Sequence, residues 1–269
     1  MDGVLSTDAA DAAGNAVFSW PYVGRSEGDH VLQLSVVDSC GNTAEDTVTL
    51  CQQAGYTSDE LDLDGWHFEG VAFWDEANNR LELTNTDLNV VGTAFAIDDV
   101  VSGADVNIRF NFYIGDGTGA DGFSVTALDT ERMTSFLGGD GCGMGYGGNA
   151  TCSQDGQLPG WSIEIDTWYN AGQDPTEEDH VMFTFDGDLT NYATWAVIPE
   201  MEDTGWHLME VVVQAPFVTI SIDGITLIDD ELDGYYDFPA YVGFTASTGG
   251  STNYHLIDSL AVTDYACDP

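Results

Sequence analysis

The sequence predicts an all-β protein in which two antiparallel sheets pack face to face as a sandwich. Hydrophobic and polar residues alternate in many short segments, whereas the spacing of apolar residues that marks an amphipathic helix is rare. Glycine contributes 31 of the 269 residues, which indicates many turns. Short alternating segments separated by turns are typical of sandwiches. The length suffices for one large sandwich plus part of a second domain.

Individual strands are visible in the alternation. Residues 106–114 place their apolar members on one face and polar residues on the other, as in a half-buried strand. Residues 217–225 alternate in the same way and contain Asp223-Gly224, a strong hairpin signal. Four further strands are expected at residues 181–185, 207–213, 241–245 and 256–262.

The first 51 residues differ from the rest. Residues 28–38 alternate as one strand, and residues 43–50 continue after a short turn. This pair resembles the last hairpin of the immunoglobulin-like modules of bacterial surface proteins. We therefore expect a small or partial immunoglobulin-like β module at residues 1–51, a linker at residues 52–57 and one large domain at residues 58–269.

The charge balance is extreme, because 47 acidic residues face only four arginines, giving a formal net charge of −43. Such a chain repels the phosphates of nucleic acid and anionic membrane surfaces. A solvated acidic surface suits salty surroundings that screen self-repulsion, and some carboxylates are also available to divalent cations. No apolar run of about 18 residues occurs, so membrane insertion is not expected.

Five cysteines without a Cys-x-x-Cys motif predict extracellular disulfides rather than a metal cluster. Cys142 and Cys152 bracket a glycine-rich loop and are expected to pair. Cys51 is able to pair with Cys267 or with Cys40, and the sequence leaves this choice open. Because the N-terminus lacks signal-peptide features, we expect a piece of a larger exported protein, extracellular or at the cell surface beside neighbouring modules.

Residues 161–175 carry the most informative pattern, which reads W-S-I-E-I-D-T-W-Y-N-A-G-Q-D-P. Successive side chains of a strand point to opposite faces, so Glu164, Asp166 and Trp168 share one face. Neighbouring carboxylates repel each other unless a cation lies between them. The pattern therefore predicts a metal site, with a solvated acidic strand face as the plain alternative.

Further ligands follow this strand. Asn170 and Asp174 offer two more oxygen atoms, and a hard divalent cation such as calcium satisfies such a set. His180 adds a nitrogen, which suits a second, transition-metal ion beside the calcium.

The pattern E-x-D-x-x-x-N-x-x-x-D-P followed by a histidine resembles the metal loop of the legume-type (L-type) lectins, including their bacterial relatives. The resemblance spans residues 60–264 and implies a concanavalin-like jelly-roll sandwich. It implies calcium and a second, Mn²⁺-like ion as cofactors. Its transition-metal ligands would be Glu164, Asp166, Asp174 and His180, and its calcium ligands Asp166, the Trp168 carbonyl, Asn170 and Asp174.

Three other segments resemble the sugar-binding loops of that family, in the same order. Residues 115–124 resemble the loop whose aspartate accepts hydrogen bonds from sugar hydroxyls, which implies Asp121 and a cis peptide bond after Ala120. Residues 138–147 resemble the glycine-rich loop, and residues 243–255 resemble the specificity loop. The implied sugar-binding residues are Asp121, Gly143, Trp168, Asn170, Gly249 and Gly250, with Asn253 as an additional polar contact.

The chemistry of sugars agrees with this set. Pyranoses present apolar C–H faces and paired hydroxyls, so a site needs an aromatic platform beside carboxylate and amide partners. Trp168 or Tyr169 is expected to supply the platform. The tryptophans expected to pack in the core are Trp66, Trp74, Trp161, Trp195 and Trp206.

The predicted function is calcium-dependent binding of glycans or glycoconjugates, serving adhesion or recognition without catalysis. A family of β-glucan hydrolases uses a related strand with a second glutamate four or five residues after the first. Trp168 and Tyr169 stand at those positions here, so the second catalytic carboxylate is missing. Two alternatives stay open: a surface or filament module in which calcium only rigidifies the fold, and a hydrolase assembled from distant strands.

Overall fold

The computed structural model describes residues 28–37, 40–52, 54–57, 61–148, 152 and 156–264. The chain divides into two compact units at the junction of residues 53 and 54. In the first unit, β1 (Gly28–Val37) pairs antiparallel with β2 (Thr43–Gln52), as the alternation predicts. Its likeness to an immunoglobulin-like module stays a prediction.

The second unit consists of strands joined by turns and loops. A short 3-10 helix, Gly141–Gly143, interrupts a long connection between two of them. The strands are β3 (Ala54–Thr57), β4 (Trp66–Gly70), β5 (Phe73–Asp75), β6 (Arg80–Thr84), β7 (Val91–Ala96), β8 (Val101–Ser102), β9 (Asp105–Gly115), β10 (Gly122–Asp129), β11 (Gly160–Asp166), β12 (His180–Phe185), β13 (Tyr192–Val197), β14 (Trp206–Gln214), β15 (Phe217–Ile222), β16 (Ile225–Glu231), β17 (Pro239–Ser247) and β18 (Tyr254–Asp264).

These strands form two antiparallel sheets. The front sheet has the order β13-β12-β11-β10-β17-β7-β4, with β8 paired to β17. The back sheet has the order β16-β15-β14-β9-β18-β6-β5, with β3 paired to β18. Neighbours in the sheets are often far apart in sequence, so the connections cross between the sheets. The predicted all-β sandwich is therefore confirmed.

The main core lies between the two sheets. Strand β9 directs Ile108, Phe110, Phe112 and Ile114 into it, and all four side chains are fully buried, which confirms the half-buried strand predicted here. The front sheet contributes alternate residues of β10 and β11, such as Val125 and Ile163. Burying aromatic and branched side chains of this size is the main favourable contribution to folding.

The predicted hairpin after β15 is also present. Strands β15 and β16 pair around Asp223 and Gly224, which have φ angles of 51° and 76°. Aspartate and glycine are among the residues that accept positive φ at the least cost, which explains why this dipeptide is found at the turn.

The expected linker at residues 52–57 is wrong. Gln52 ends β2, and residues 54–57 form β3, which pairs with β18 in the back sheet. The linker was expected from the position of the segment between the two parts of the chain, whereas β18 offers residues 54–57 backbone hydrogen bonds along part of its edge.

The core prediction for the five tryptophans holds only in part. Trp161 is 1% exposed, and its indole nitrogen donates a hydrogen bond to the Gly103 carbonyl at 2.7 Å. Trp66 and Trp74 are partly buried against the core. Trp195 and Trp206 are 38% and 46% exposed, because each stands on the outward face of its strand.

A second layer covers the outer face of the front sheet. Tyr146 and Leu158, from the long connection between β10 and β11, pack on sheet residues Phe95 and Leu128. The Cys142–Cys152 disulfide closes this connection, as the sequence predicts. Any pairing of Cys51 or Cys267 falls outside the residues whose side chains are described.

Across the described residues, the structure contains no helix long and apolar enough to pass through a membrane.

His207, on β14, lies between two carboxylates, with Nδ1 2.8 Å from Asp223 and Nε2 3.1 Å from Asp203. Burial lowers its pKa, but hydrogen bonds to Asp223 and Asp203 outweigh burial and raise the pKa above its usual value. The stabilisation is therefore complete below pH 6.5 and is lost as the pH rises through the folded-state value. We expect His207→Gln to reduce the free energy of unfolding by about 1 kcal/mol at pH 6 and by less at pH 9. Equal losses in denaturant titrations at both pH values would contradict this role.

Candidate functional site

Strands β11 and β12 bring three metal-ligating side chains together on the outer face of the front sheet. Asp166 is the cross-strand partner of His180, and Glu164 precedes Asp166 by two residues on the same face. All three side chains are buried, and one ligand atom from each lies within 4.8 Å of the others. The alternation of β11 therefore produces the paired carboxylates that the sequence predicts, and β12 adds the histidine.

The imidazole of His180 is oriented so that its Nε2 lone pair is available to a metal ion. Its Nδ1 lies 3.2 Å from the Glu178 carbonyl oxygen, to which it donates a hydrogen bond. Its Nε2 is buried without a hydrogen-bond partner and lies 3.9 Å from Oε1 of Glu164. A histidine that ligates a metal through one nitrogen and donates the other to a carbonyl has this arrangement.

The carboxylates lie in an environment that strongly disfavours their charge. Burial raises the pKa of Glu164 to about 8, and burial followed by the charges of Glu164 and Asp174 raises the pKa of Asp166 well above its usual range. Among the described residues, Arg80 and Arg132 form their ion pairs with other carboxylates. A divalent cation is the natural complement, and two oxygens with one nitrogen suit a transition metal.

The loop after β11 folds back on itself. The Trp168 amide donates to Oδ1 of Asp166 at 2.8 Å, and the Asn170 amide donates to Oδ2 of Asp174. The Asp174 amide in turn donates to the Asn170 carbonyl at 3.3 Å. Burial raises the pKa of Asp174 to about 6. Asp174 lies near enough for its charge to raise the pKa of Asp166, but it does not belong to the three-residue cluster.

Asp121 lies beside this loop, immediately before β10. Its carbonyl accepts a hydrogen bond from the Thr167 amide at 3.0 Å, which links the two loops. Its side chain is only 7% exposed, and Oδ2 is buried with no hydrogen-bond partner. Burial, with added repulsion from Asp140 and Asp174, raises its pKa to about 6. An unpartnered buried carboxylate oxygen is costly, which marks it as an acceptor for a ligand.

The loop that contains Gly249 and Gly250 lies against Asp121. A Cβ built on Gly249 would be 3.1 Å from Oδ2 of Asp121, so only glycine permits this approach without a shift. A Cβ on Gly250 would meet no atom within 4 Å, so this residue borders open space. The Gly249 carbonyl accepts a hydrogen bond from the Asn89 amide at 3.1 Å. The loop that contains Asn89 therefore supports the site, although the sequence analysis missed it.

The loop after β11 also presents two exposed aromatic side chains. Trp168 is 43% exposed and Tyr169 is 44% exposed, so each has a ring surface available to a ligand. They follow Asp166 by two and three residues in the chain. The arrangement combines a carboxylate acceptor, small glycines and aromatic surface, which is the combination that sugars require.

Two predicted sugar contacts are engaged within the protein. The Gly143 amide donates to the Asp140 carbonyl at 3.0 Å inside the 3-10 turn, so it does not point to a ligand. The side-chain amide nitrogen (Nδ2) of Asn253 donates a hydrogen bond to Oε1 of Glu202. Neither hydrogen bond could be predicted from the sequence, because the first depends on the backbone conformation of a local turn and the second joins residues 51 positions apart.

The expected cis peptide bond after Ala120 is wrong. Within the described part of the chain, the one cis bond is Ala215–Pro216. A trans bond before Asp121 avoids the roughly 3 kcal/mol that a non-proline cis bond costs.

The sequence analysis also missed Tyr146. This residue is fully buried, and its hydroxyl donates a hydrogen bond to Oε2 of Glu164. Burial first, and then the charge of Glu164, raises the pKa of Tyr146 well above its usual value, so the phenol stays protonated. The only signal in the sequence was an aromatic residue within a glycine-rich segment.

The sequence matches no family model. Its fold is similar to that of solved lectins. The exoplasmic/lumenal domain of VIP36 in its Ca²⁺- and mannose-bound form aligns with a TM-score of 0.59 and 16% identity, over 76% of this chain and 85% of that one. The Bauhinia forficata lectin in complex with GalNAc aligns with a TM-score of 0.61 and 16% identity, over 79% and 98% of the two chains. Lectin II from Ulex europaeus aligns with a TM-score of 0.64 and 15% identity, over 78% and 98%. These alignments confirm the predicted concanavalin-like jelly-roll sandwich.

Proposed function

We propose that this protein binds glycans in a calcium-dependent manner. The observation that carries the proposal is the buried, unpartnered Oδ2 of Asp121, held against Gly249 and tied through Thr167 to the metal loop. A carboxylate in this position accepts hydrogen bonds from two neighbouring hydroxyls of a sugar, and such charge-assisted bonds are strong.

Calcium would organise the loop that supports this carboxylate. Its ligands in the proposal are Asp166, the Trp168 carbonyl, Asn170 and Asp174, which together offer the oxygen atoms that calcium prefers. The present hydrogen bond between the Asn170 amide and Asp174 brings two of these residues together. A bound ion fixes such a loop before the sugar arrives, which lowers the entropic cost of binding.

A second ion of the Mn²⁺ type would bind Glu164, Asp166, Asp174 and His180. The support for this site is the orphaned Nε2 of His180 next to two buried carboxylates. Burying these groups is costly unless they are paired or coordinate a metal, and a mixed oxygen and nitrogen set suits a transition metal.

The sugar would lie over Asp121, with backbone amides of Gly249 and Gly250 and the side chain of Asn170 as polar partners. Trp168 would cover an apolar face of the pyranose, since its ring is 43% exposed. With its amide engaged in the 3-10 turn, Gly143 no longer belongs to the proposed set. Similar lectins bind mannose and GalNAc, and we propose neutral glycans as the ligand class here.

We propose binding without catalysis. Retaining glycosidases need two carboxyl groups about 5 Å apart around the scissile bond. The positions four and five residues after Glu164 carry Trp168 and Tyr169, whose side chains are partly exposed aromatics. The place of a second catalytic carboxylate is thus taken by side chains suited to stacking.

The biological setting in the proposal is the cell exterior. A net charge of −43 and the Cys142–Cys152 disulfide fit an extracellular or cell-surface protein of the bacterial branch of L-type lectins. The strand pair β1–β2 would then belong to an immunoglobulin-like module that joins the lectin domain to neighbouring modules in an adhesive protein.

A glycan array tests the function. The full chain is applied in calcium and again in EDTA, at a salt concentration that screens the acidic surface. Binding to a defined group of neutral glycans that EDTA abolishes is the expected result. A folded, calcium-loaded protein that binds no glycan on a broad array would overturn the proposal and favour a structural module.

A further inference from the structure

Tyr146 connects the glycine-rich loop to the metal centre. Its ring is fully buried in the second layer over the front sheet, together with Phe95, Leu128 and Leu158. Its hydroxyl donates to Oε2 of Glu164, which is itself 1% exposed. A phenol at the bottom of a covering layer therefore contacts a candidate metal ligand directly.

The loop that carries Tyr146 is fixed to the sheet at two further points. Thr245 Oγ1 donates to the Met144 carbonyl at 2.6 Å, and Ser247 Oγ donates to the Gly141 carbonyl at 2.5 Å. The Thr245 hydroxyl also lies 2.8 Å from the buried Ser124 hydroxyl, which in turn contacts the hydroxyl of Thr126. Several bonds thus hold the loop, so the phenol reaches Glu164 from a defined position.

The two carboxylate oxygens of Glu164 face different partners. Oε2 accepts the hydrogen bond from Tyr146, while Oε1 faces the orphaned Nε2 of His180 at 3.9 Å. A glutamate with both oxygens free turns about its last torsion, which is broad. The phenol removes this freedom and keeps one oxygen directed towards the histidine.

We propose that Tyr146 is a positioning residue of the second metal site, holding Glu164 in its ligating orientation and joining the glycine-rich loop to the ion. The inference rests on the proposed function, since it assumes that Glu164 and His180 bind a metal. Residues that orient ligands in this way typically contribute 10- to 100-fold to metal affinity.

The test measures Mn²⁺ affinity in the full chain by the loss of the electron paramagnetic resonance signal of free Mn²⁺. The variant is Tyr146→Phe, which removes one oxygen and keeps the ring in its apolar cluster. The matched control is Tyr235→Phe, because Tyr235 also packs against the core and its hydroxyl donates to the Gly103 carbonyl at 3.0 Å, away from the cluster. Glu164→Gln removes a ligand of the proposed site, so the Mn²⁺ that this variant still binds measures weak binding to the acidic surface. About 0.5 M salt reduces that background.

We expect Tyr146→Phe to weaken Mn²⁺ binding about tenfold or more, with Tyr235→Phe within twofold of the wild type. Melting temperatures in EDTA give each variant's loss of stability separately from its loss of metal affinity. If wild type binds Mn²⁺ and Tyr146→Phe binds it equally well, the inference is overturned while the proposed function stands. Equal weakening in both variants would also overturn it, since the effect would then be general loss of core contacts. If the wild-type protein binds no more Mn²⁺ than Glu164→Gln does, the second metal site itself is contradicted, and the inference with it.

Discussion

Asp166→Asn is expected to remove calcium binding and glycan binding together. Asp166 is one of the two carboxylates, with Asp174, that both proposed ions share, and the Trp168 backbone amide donates a hydrogen bond to one of its oxygens. Calcium affinity depends on the number of charged ligands, so losing this one should weaken binding roughly 100-fold or more. Calorimetric titration with calcium, followed by the glycan array, measures both effects.

The fold should survive this substitution. In the metal-free protein, burial and the neighbouring Glu164 disfavour a charge on Asp166, so a neutral amide at this position carries no such cost. We therefore expect the melting temperature in EDTA to stay equal or to rise. Asp229→Asn, on the exposed edge strand β16 of the back sheet, is the matched control and should leave both activities unchanged. Retention of glycan binding by Asp166→Asn would contradict the proposed role of the metal.

Asp121→Asn is expected to abolish glycan binding while calcium binding remains within a few-fold of the wild type. The amide keeps the shape of the side chain but loses the charge and one acceptor position. Truncating one side of a buried, charged hydrogen bond typically costs 2–5 kcal/mol, so glycan affinity should fall at least about 30-fold. Calorimetry with calcium, and then with the best glycan from the array, separates the two affinities.

The control for Asp121 lies in the same loop. Asp116 is exposed and accepts a hydrogen bond from the Tyr113 hydroxyl at 2.6 Å, so Asp116→Asn makes the same chemical change away from the proposed sugar contact. It should bind glycan like the wild type. A similar loss in both variants would mean that the loop, rather than the carboxylate of Asp121, is responsible.

The elements governed by local alternation could be predicted from the sequence. Strand β9 shows its buried face directly, and the pattern of β11 places Glu164 and Asp166 on one side, as the structure confirms. His180 could be included because it follows the E-x-D-x-x-x-N-x-x-x-D-P pattern, which resembles the metal loop of a known family. These features depend on the two-residue period of strands, which is written in the chain itself.

Features set by contacts between distant segments could not be predicted. Tyr146 reaches Glu164 only because the covering loop folds onto the front sheet, and the side chain of Asn253 is engaged by Glu202 from another loop. Trp195 and Trp206 looked like core residues, but whether a strand residue points inwards depends on register and on its place in the sheet. Side-chain type alone does not carry that information.

A crystal structure of the full chain with calcium and the best glycan from the array tests the central claim most directly. Anomalous scattering identifies the ion. We predict a calcium peak among Asp166, Asn170 and Asp174, with two sugar hydroxyls within hydrogen-bonding distance of Asp121. Calcium or glycan bound elsewhere on the acidic surface, with this site free of both, would contradict the account.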